Sequence, residues 1–429
     1  MEIGQKEIVL KSAYVFGHRV LGYGFGFLFT WLVSRWYGAS GQGVFAIAFL
    51  FLSVGTMLAK MGTETSIVKW IANASSSSTK KSIYYETIVL ASLSSLIVSL
   101  GVFFFSDVIS NWYNKPNLNI AIQISAFAIP FLTILDVSAN YFKGEKKIGL
   151  FGLYFYTLKF TFPLISLILA YIFSLIYNEI PIVSYAIGIS ICSILITIHL
   201  WANFKKIKKE KTLKMGYKFV FLESYPMMIS SAIVMIMGWS DVFILGFFVD
   251  EPKIGIYSVC VKVATVVAFV YNAISTIVTP KIAQFYAKGE YDLLQEMISK
   301  ASKIMLLTGI PIFMILFIFS KQVLEIFGND FYSGVSILRI LLCAQLINVL
   351  TGPVGPLFQM TGLQKKLQTY IIVSLILNIV ASLGLIFPFG MIGVSIASAI
   401  GMVFWNIAGA RYLNKNMKIK TWWLFQNVR

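Results

Sequence analysis

Five cationic side chains interrupt the long apolar stretches of this 429-residue sequence: Arg19, Lys60, Lys159, Lys262 and Arg339. A charge at membrane depth costs at least about 2.5–3.5 kcal/mol on insertion scales, so by default such a residue faces protein or water and is functional. Arginine can hold two phosphate oxygens at once, and lysine acts as a point charge. The set can therefore bind an anion, although Arg339 lies near the end of its stretch and can reach the interface instead.

Acidic side chains occur in the same stretches: Glu64, Asp136, Glu223 and Asp241. Glu64 follows Lys60 by four residues, so the two can pair on one helix. Arg19 and Asp136 are expected at similar depth and can pair between helices. The alternative to anion binding is thus a set of pairs that only orient helices. Lys159 has no acid one turn away on its own stretch, which makes Lys159 and Arg19 the strongest candidates for an anion site.

Asp241 is expected at the same outer depth as three oxygen-bearing side chains on two later stretches, namely Asn378, Ser382 and Ser398. Oxygen ligands that converge from several helices around one carboxylate suit Na⁺ or a proton relay. Lys262 is expected at this depth too, so the alternative is a structural Asp241–Lys262 pair. The chain has only two histidines, and we predict no cofactor and no metal beyond possible Na⁺.

The elements that carry these residues are membrane helices. Charged residues make up 12% of the chain, against roughly 25% in a soluble domain, and the mean hydropathy is +0.80. The fold class is therefore all-α integral membrane, and no cleavable signal peptide is expected. The net charge of +17 lies in short loops, so nucleic acid is not a predicted partner. Runs of about 20 apolar residues predict twelve transmembrane helices, at 13–36, 43–66, 83–105, 119–142, 149–174, 180–203, 219–248, 255–280, 301–320, 334–360, 367–388 and 390–412.

A basic segment, Phe204–Lys218, lies in the middle of the chain and carries seven lysines against one acid, Glu210. The positive-inside rule makes it a cytoplasmic loop. With the N-terminus inside, 26 of the 35 cationic residues fall in cytoplasmic segments, so both termini are predicted to be cytoplasmic. The predicted domains are an N-terminal six-helix lobe (1–204), a basic cytoplasmic linker (205–218) and a C-terminal six-helix lobe (219–429).

The two lobes share short motifs at a nearly constant offset. Gly43-Val44-Phe45 opens the second span, and Gly255-Ile256-Tyr257 opens the eighth. Each match is weak by itself, but the constant offset predicts an internal repeat. Two repeats of six spans have the same orientation and are related by a pseudo-twofold axis along the membrane normal. This is a transporter architecture, with a substrate site expected between the lobes.

Several longer segments are similar to one known family. They are Gly41–Ala72, Trp239–Glu290 with its Thr-Pro-Lys-Ile-Ala ending, Phe327–Leu341 and Phe389–Gly401. In this order, and along essentially the whole chain, they resemble the polysaccharide flippases of O-antigen and capsule repeat units. That family belongs to the multidrug/oligosaccharidyl-lipid/polysaccharide (MOP) exporter superfamily. The resemblance implies a MATE-like transporter fold that carries undecaprenyl-diphosphate-linked oligosaccharide from the cytoplasmic to the periplasmic leaflet of the bacterial inner membrane.

The resemblance also implies two sites. In related lipid II flippases, cationic residues on spans one, two and eight line the cavity, which corresponds by span to Arg19, Lys60 and Lys262 here. With Lys159, these residues form the expected cationic cavity for a diphosphate. A sodium ion is thought to lie between spans seven, eleven and twelve of those proteins. The matching residues here are Asp241, Asn378, Ser382, Val394 through its carbonyl, and Ser398. Ser382 stands where some relatives have a carboxylate, so coupling to H⁺ stays open.

Two other functions remain as alternatives. A multidrug/cation antiporter of the same fold needs a cavity rich in acids, whereas cations outnumber acids here. A membrane polysaccharide polymerase or ligase usually places its catalytic groups in large outer loops, which this sequence lacks, so we do not predict an enzyme. The predicted partners are the lipid-linked oligosaccharide, membrane lipids, and polysaccharide polymerase or assembly proteins. The predicted pathway is lipopolysaccharide or capsule biosynthesis.

Overall fold

The computed structural model describes residues 2–207 and 215–422, with side chains from residue 14 onward except that of residue 230. The chain is organised into helices. In chain order they are α1 (Glu2–Lys60), α2 (Thr63–Asn73), α3 (Ser77–Phe104), α4 (Ser106–Trp112), α5 (Leu118–Gly144), α6 (Ile148–Gly152), a π-helix (Leu153–Leu158), α7 (Lys159–Ile172), α8 (Ile180–Lys205), α9 (Tyr217–Phe248), α10 (Glu251–Lys288), α11 (Tyr291–Ile318), α12 (Ser320–Glu325), a 3₁₀ turn (Asn329–Gly334), α13 (Val335–Leu350), α14 (Val354–Met360) and α15 (Gln364–Met417).

Ten of the described helical segments are long and apolar enough to cross a membrane, and two of them are of double length. Tyr14–Lys60 has 47 residues and Gln364–Met417 has 54, against about 20 for one crossing. Each contains a single glycine with non-helical backbone, Gly38 with φ 66° and Gly390 with φ 55°. Only glycine adopts such angles without strain. The first two and the last two predicted segments are thus each one long helix with a break at glycine.

Two predicted spans end earlier than expected. The second predicted span, 43–66, stops at Lys60, because Met61 and Gly62 adopt positive φ and α2 starts in a new direction. The tenth, 334–360, stops at Leu350, where Gly352 has positive φ and Pro353 cannot continue the helix. Hydropathy alone extends both spans, since α2 and α14 also carry apolar residues.

The described chain divides into two compact units, Met1–Met235 and Ile236–Arg429. The domain bounds expected from the sequence stay a prediction, because 208–214 of the basic linker lies outside the described residues. Within the first unit, the beginning of α9 is held by Glu86 of α3, whose Oε2 accepts a hydrogen bond of 2.7 Å from the backbone nitrogen of Gly216.

The centre of the first unit is α5, which is buried along most of its length. Polar groups join it to its neighbours. Ser125 donates to the carbonyl oxygen of Ala48 at 2.8 Å, and the hydroxyls of Tyr84 and Ser138 lie 2.9 Å apart. Such hydrogen bonds hold helices together in an apolar medium, where the hydrophobic effect contributes little.

The outer faces of the helices are apolar. On α3, Leu93 is 57% exposed, and Ile97 and Phe104 are 72% exposed. Large exposed apolar faces beside buried polar contacts are the arrangement expected of a protein surrounded by lipid. The protein is a multi-pass integral membrane protein.

Candidate functional site

The first unit contains a buried cluster of charges centred on Asp136 of α5. The Lys60 Nζ lies 2.9 Å from Asp136 Oδ2, and the Lys159 Nζ lies 2.8 Å from Asp136 Oδ1. The Asp136 side chain is 6% exposed and each lysine side chain 15%. Glu64 adds a second carboxylate, 3.9 Å from the Lys60 Nζ. We call these four residues the Asp136 cluster.

Irregular backbone positions both lysines of the Asp136 cluster. Lys60 is the last residue of α1, directly before the turn at Met61 and Gly62, and Glu64 lies beyond that turn in the first turn of α2. Lys159 begins α7 immediately after the π-helix Leu153–Leu158. A π-helix is rare and shifts the face on which the following residues lie, and it occurs frequently at functional sites.

The Asp136 cluster corrects two expectations. Lys159 has a partner after all, an acid on a neighbouring helix that sequence spacing could not reveal. The Arg19–Asp136 pair, which was the alternative to anion binding, does not form among the described residues, where both Asp136 oxygens contact lysines. The expected Lys60–Glu64 pair does form at 3.9 Å, although the helix breaks between the two residues.

Arg19 lies on α1 where this helix packs against the π-helix. Its guanidinium carbon is 5.8 Å from the centre of the Tyr23 ring, and the side chain is half-buried. A Cβ at Gly22 would lie 2.4 Å from the backbone oxygen of Tyr156, so glycine is what allows this close approach. The neighbouring His18 Nδ1 lies 2.7 Å from Thr157 Oγ1.

The second unit contains a polar cluster centred on Asp241 of α9, which we call the Asp241 cluster. Tyr257 of α10 donates to Asp241 Oδ2 at 2.6 Å, and the Asn378 amide donates to Asp241 Oδ1 at 3.1 Å. Ser398 also donates to Asp241 Oδ2, and Ser240 donates to Asn378 Oδ1 at 3.0 Å. The expected grouping of Asp241, Asn378 and Ser398 therefore occurs in the structure.

The Asp241 cluster contains the kinds of oxygen atom that Na⁺ would need as ligands. Ser382 is fully buried, and its hydroxyl has no hydrogen-bond partner in the described part of the chain. Val394 is fully buried as well, four residues past the break at Gly390. Carboxylate, amide and hydroxyl oxygens with one negative charge fit a monovalent cation. The three hydrogen bonds to the Asp241 carboxylate also satisfy it without an ion.

The remaining intramembrane charges have separate environments. Within the described ranges the Asp241 oxygens accept hydrogen bonds from Tyr257, Asn378 and Ser398, and the alternative Asp241–Lys262 pair is not found. Arg339 donates to Ser320 at 2.9 Å and lies 5.4 Å from the Phe317 ring. Glu223 pairs with Lys69 at 3.8 Å, and both side chains are exposed.

Two residues of the Asp241 cluster, Tyr257 and Ser240, are not predicted from the sequence. Tyr257 is fully buried, and a buried tyrosine hydroxyl normally has a hydrogen-bond partner. Tyr257 follows Asp241 by sixteen residues and lies on the next helix, so helical spacing in the sequence does not indicate that the two residues are in contact. Ser240 directly precedes Asp241. A hydroxyl group next to an intramembrane carboxylate in the sequence is the feature that could have identified it.

The fold identifies the class of protein. A solved structure of a lipid II flippase, MurJ, in an inward closed conformation matches with a TM-score of 0.73 and 17% identity, covering 96% of this chain and 87% of that one. An inward-facing MATE-family multidrug resistance transporter of the MOP superfamily also gives 0.73, with 15% identity and coverage of 92% and 94%. The protein thus has the MATE/MurJ-like transporter fold.

The family follows from the sequence match. Residues 8–286 match the polysaccharide biosynthesis protein family, and residues 226–384 match the MatE family. Since the first match covers more than half of the chain, the protein belongs to the polysaccharide biosynthesis protein family. A probable low-salt glycan biosynthesis flippase, Agl15 of Haloferax volcanii, is 24% identical over 429 residues, which is 98% of this chain and 85% of that protein.

Proposed function

We propose that the protein is a flippase for undecaprenyl-diphosphate-linked oligosaccharide repeat units, which it moves from the cytoplasmic to the periplasmic leaflet by alternating access. The observation that carries this proposal is membership of the polysaccharide biosynthesis family, together with similarity along nearly the whole chain to a glycan flippase. The predicted setting is the bacterial cytoplasmic membrane with both termini inside, and the glycan is an O-antigen or capsule unit.

The headgroup site in this proposal includes Arg19, Lys60 and Lys159 of the first unit, and the part of Lys262 in it stays a prediction from the sequence. The charge balance of the spans supports an anionic ligand. Eight cations lie in the predicted spans against five acids, namely Glu64, Glu86, Asp136, Asp241 and Glu223, of which Glu223 is in an exposed pair. Charge-assisted bonds to phosphate are among the strongest hydrogen bonds available to these side chains.

Coupling to an ion is assigned to the Asp241 cluster. When bound, Na⁺ or a proton would supply a positive charge to the only carboxylate of this cluster. Asp241, Asn378, Ser398 and Ser382 would hold the ion through their oxygens, with the Val394 carbonyl completing the set. The protein's own contribution is a carboxylate that accepts hydrogen bonds from Tyr257, Asn378 and Ser398.

A multidrug/cation antiporter is the second candidate, because residues 226–384 match the MatE family. Mass spectrometry of the lipids in a deletion strain separates the two functions. Loss of a flippase should cause a lipid-linked repeat unit to accumulate, and wild-type protein should clear it. The Arg19→Ala variant should not clear it, whereas Lys253→Ala, at an exposed pair outside the spans, should. An unchanged lipid profile with increased sensitivity to cationic drugs would favour the antiporter and overturn the flippase.

A further inference from the structure

The Asp136 cluster has a geometry that a purely structural ion pair does not need. One carboxylate bridges two ammonium groups from different helices, and each oxygen takes one of them, at 2.9 and 2.8 Å. A single lysine would neutralise Asp136. Both lysines nevertheless contact the same carboxylate, so the cluster contains two buried cations that converge on one anionic group.

Carboxylate and phosphate oxygens are equivalent acceptors for an ammonium group. The two Asp136 oxygens thus stand where two oxygens of a bound phosphate group could stand. Both lysine side chains keep 15% of their surface exposed, so the cluster is enclosed but not sealed. The charges are balanced inside it, because Glu64 and Asp136 offset Lys60 and Lys159.

Each lysine also has a second contact that does not involve Asp136. Glu64 Oε1 lies 3.9 Å from the Lys60 Nζ, and Glu64 Oε2 is buried with no hydrogen-bond partner in the part of the chain that is described. The Phe155 ring centre lies 4.9 Å from the Lys159 Nζ, a distance at which a cation is attracted to the ring face. The lysines can therefore leave Asp136 without losing every favourable contact.

We propose that Asp136 is a built-in counter-anion: it holds Lys60 and Lys159 in the ligand-free protein and yields them to the phosphate groups of an anionic lipid headgroup. The inference rests on the proposed function and assigns a role to an acid whose role the sequence left open. Asp136 is a positioning residue here. It keeps the lysines in place between turnovers, and by competing for them it prevents the headgroup from binding too tightly to be released.

The position of the Asp136 carboxylate between two lysines predicts which anions the cluster selects. A ligand must replace both Asp136–lysine contacts at once, so a group with several anionic oxygens displaces the carboxylate better than a group with one. Diphosphate should bind, whereas acetate or chloride at the same ionic strength should not. This requirement distinguishes the Asp136 cluster from a general basic surface.

The test uses the purified full-length protein with inorganic diphosphate as the probe, and its dissociation constant is measured by calorimetry. Asp136→Asn keeps the shape but removes the competing charge, so we expect diphosphate to bind about tenfold more tightly, which corresponds to about 1.4 kcal/mol. Adding Lys60→Ala or Lys159→Ala to Asp136→Asn should abolish that gain. Unchanged or weaker binding by Asp136→Asn would overturn the proposal.

Glu145 provides a matched control. It also contacts two lysines, Lys80 at 3.5 Å and Lys147 at 2.7 Å, and its side chain is 13% exposed. Lys147 is half exposed, so water screens the charge that Glu145→Gln would release. We expect Glu145→Gln to leave the diphosphate affinity unchanged. A gain equal to that of Asp136→Asn would mean that any freed lysine pair binds diphosphate, and the proposal would fail.

A second measurement needs no variant, in case Asp136→Asn does not fold. Dicyclohexylcarbodiimide modifies protonated carboxyl groups in apolar surroundings, and peptide mass spectrometry locates the modified residue. If diphosphate takes the lysines, the freed carboxyl is left buried without cations, so its labelling should rise severalfold with diphosphate. Constant labelling would refute the exchange. Diphosphate binding of this kind without flipping of lipid-linked glycan would reject the proposed function alone, and flipping without an effect at Asp136 would reject this inference alone.

Discussion

Tyr257→Phe should make the coupling ion bind more tightly. Tyr257 donates to Asp241 Oδ2 at 2.6 Å from a fully buried position. The same oxygen would have to serve a bound cation or proton, so the tyrosine hydroxyl competes with the ion. Without this hydroxyl, the Asp241 carboxylate accepts one hydrogen bond fewer in the ion-free state, so binding of the ion becomes more favourable.

The magnitude follows from the contacts of the carboxylate. A hydrogen bond to a charged group contributes about 1.5–3 kcal/mol, and tenfold in affinity corresponds to about 1.4 kcal/mol. Ser398 and Asn378 still donate to Asp241 in the variant, so part of the loss is compensated. We therefore expect the low end of this range, about a tenfold decrease in the ion concentration that gives half-maximal transport.

The assay is transport of a fluorescent lipid-linked oligosaccharide in proteoliposomes, with Na⁺ titrated at fixed pH and pH titrated at fixed Na⁺. Tyr412→Phe is the control, because Tyr412 stacks on Phe358 far along α15 from the Asp241 cluster. Asp241→Asn should abolish the dependence on the ion altogether. If Tyr257→Phe instead raises the half-maximal concentration, the hydroxyl is a ligand of the ion, and the competition described here is wrong.

Three further predictions concern topology, the headgroup site and packing. A reporter fused at Lys209, outside the described residues, should be cytoplasmic and one at Asn114 periplasmic; the reverse would refute the orientation. Arg19→Ala should abolish transport at normal protein level while Arg19→Lys keeps part of it, measured in the same proteoliposomes, because lysine retains the charge but not the forked geometry. Gly188→Ala should lower the melting temperature, since its Cβ would lie 2.2 Å from a proline nitrogen of the packed helix, whereas Gly101→Ala, in open space, should not.

The sequence predicted the helices well because burial in lipid imposes a simple rule of length and hydropathy. It predicted their ends less well. Lys60 ends α1 because the two following residues adopt positive φ, and this depends on backbone conformation rather than on hydropathy. The same limit explains the short tenth span, where Gly352 and Pro353 lie inside an apolar run.

The polar clusters show which contacts a sequence can reveal. Asp241, Asn378 and Ser398 were grouped correctly because equal depth on separate helices places side chains at one level. Depth does not give the rotation of a helix about its axis, however. Lys159 therefore acquired its partner Asp136 only in the structure, through a π-helix that spacing rules do not anticipate. The absent Asp241–Lys262 pair has the same explanation.

The most direct test of the central claim is leaflet-to-leaflet movement of a defined substrate by the purified protein. Proteoliposomes that carry undecaprenyl-diphosphate-linked oligosaccharide with a fluorescent sugar are treated with a membrane-impermeant quencher, and the protected fraction is followed over time. The account predicts that wild-type protein exposes the protected pool, while Lys159→Ala leaves it protected and Lys253→Ala behaves as wild type. A pool that stays protected with wild-type protein, under every Na⁺ and pH gradient applied, would contradict the account.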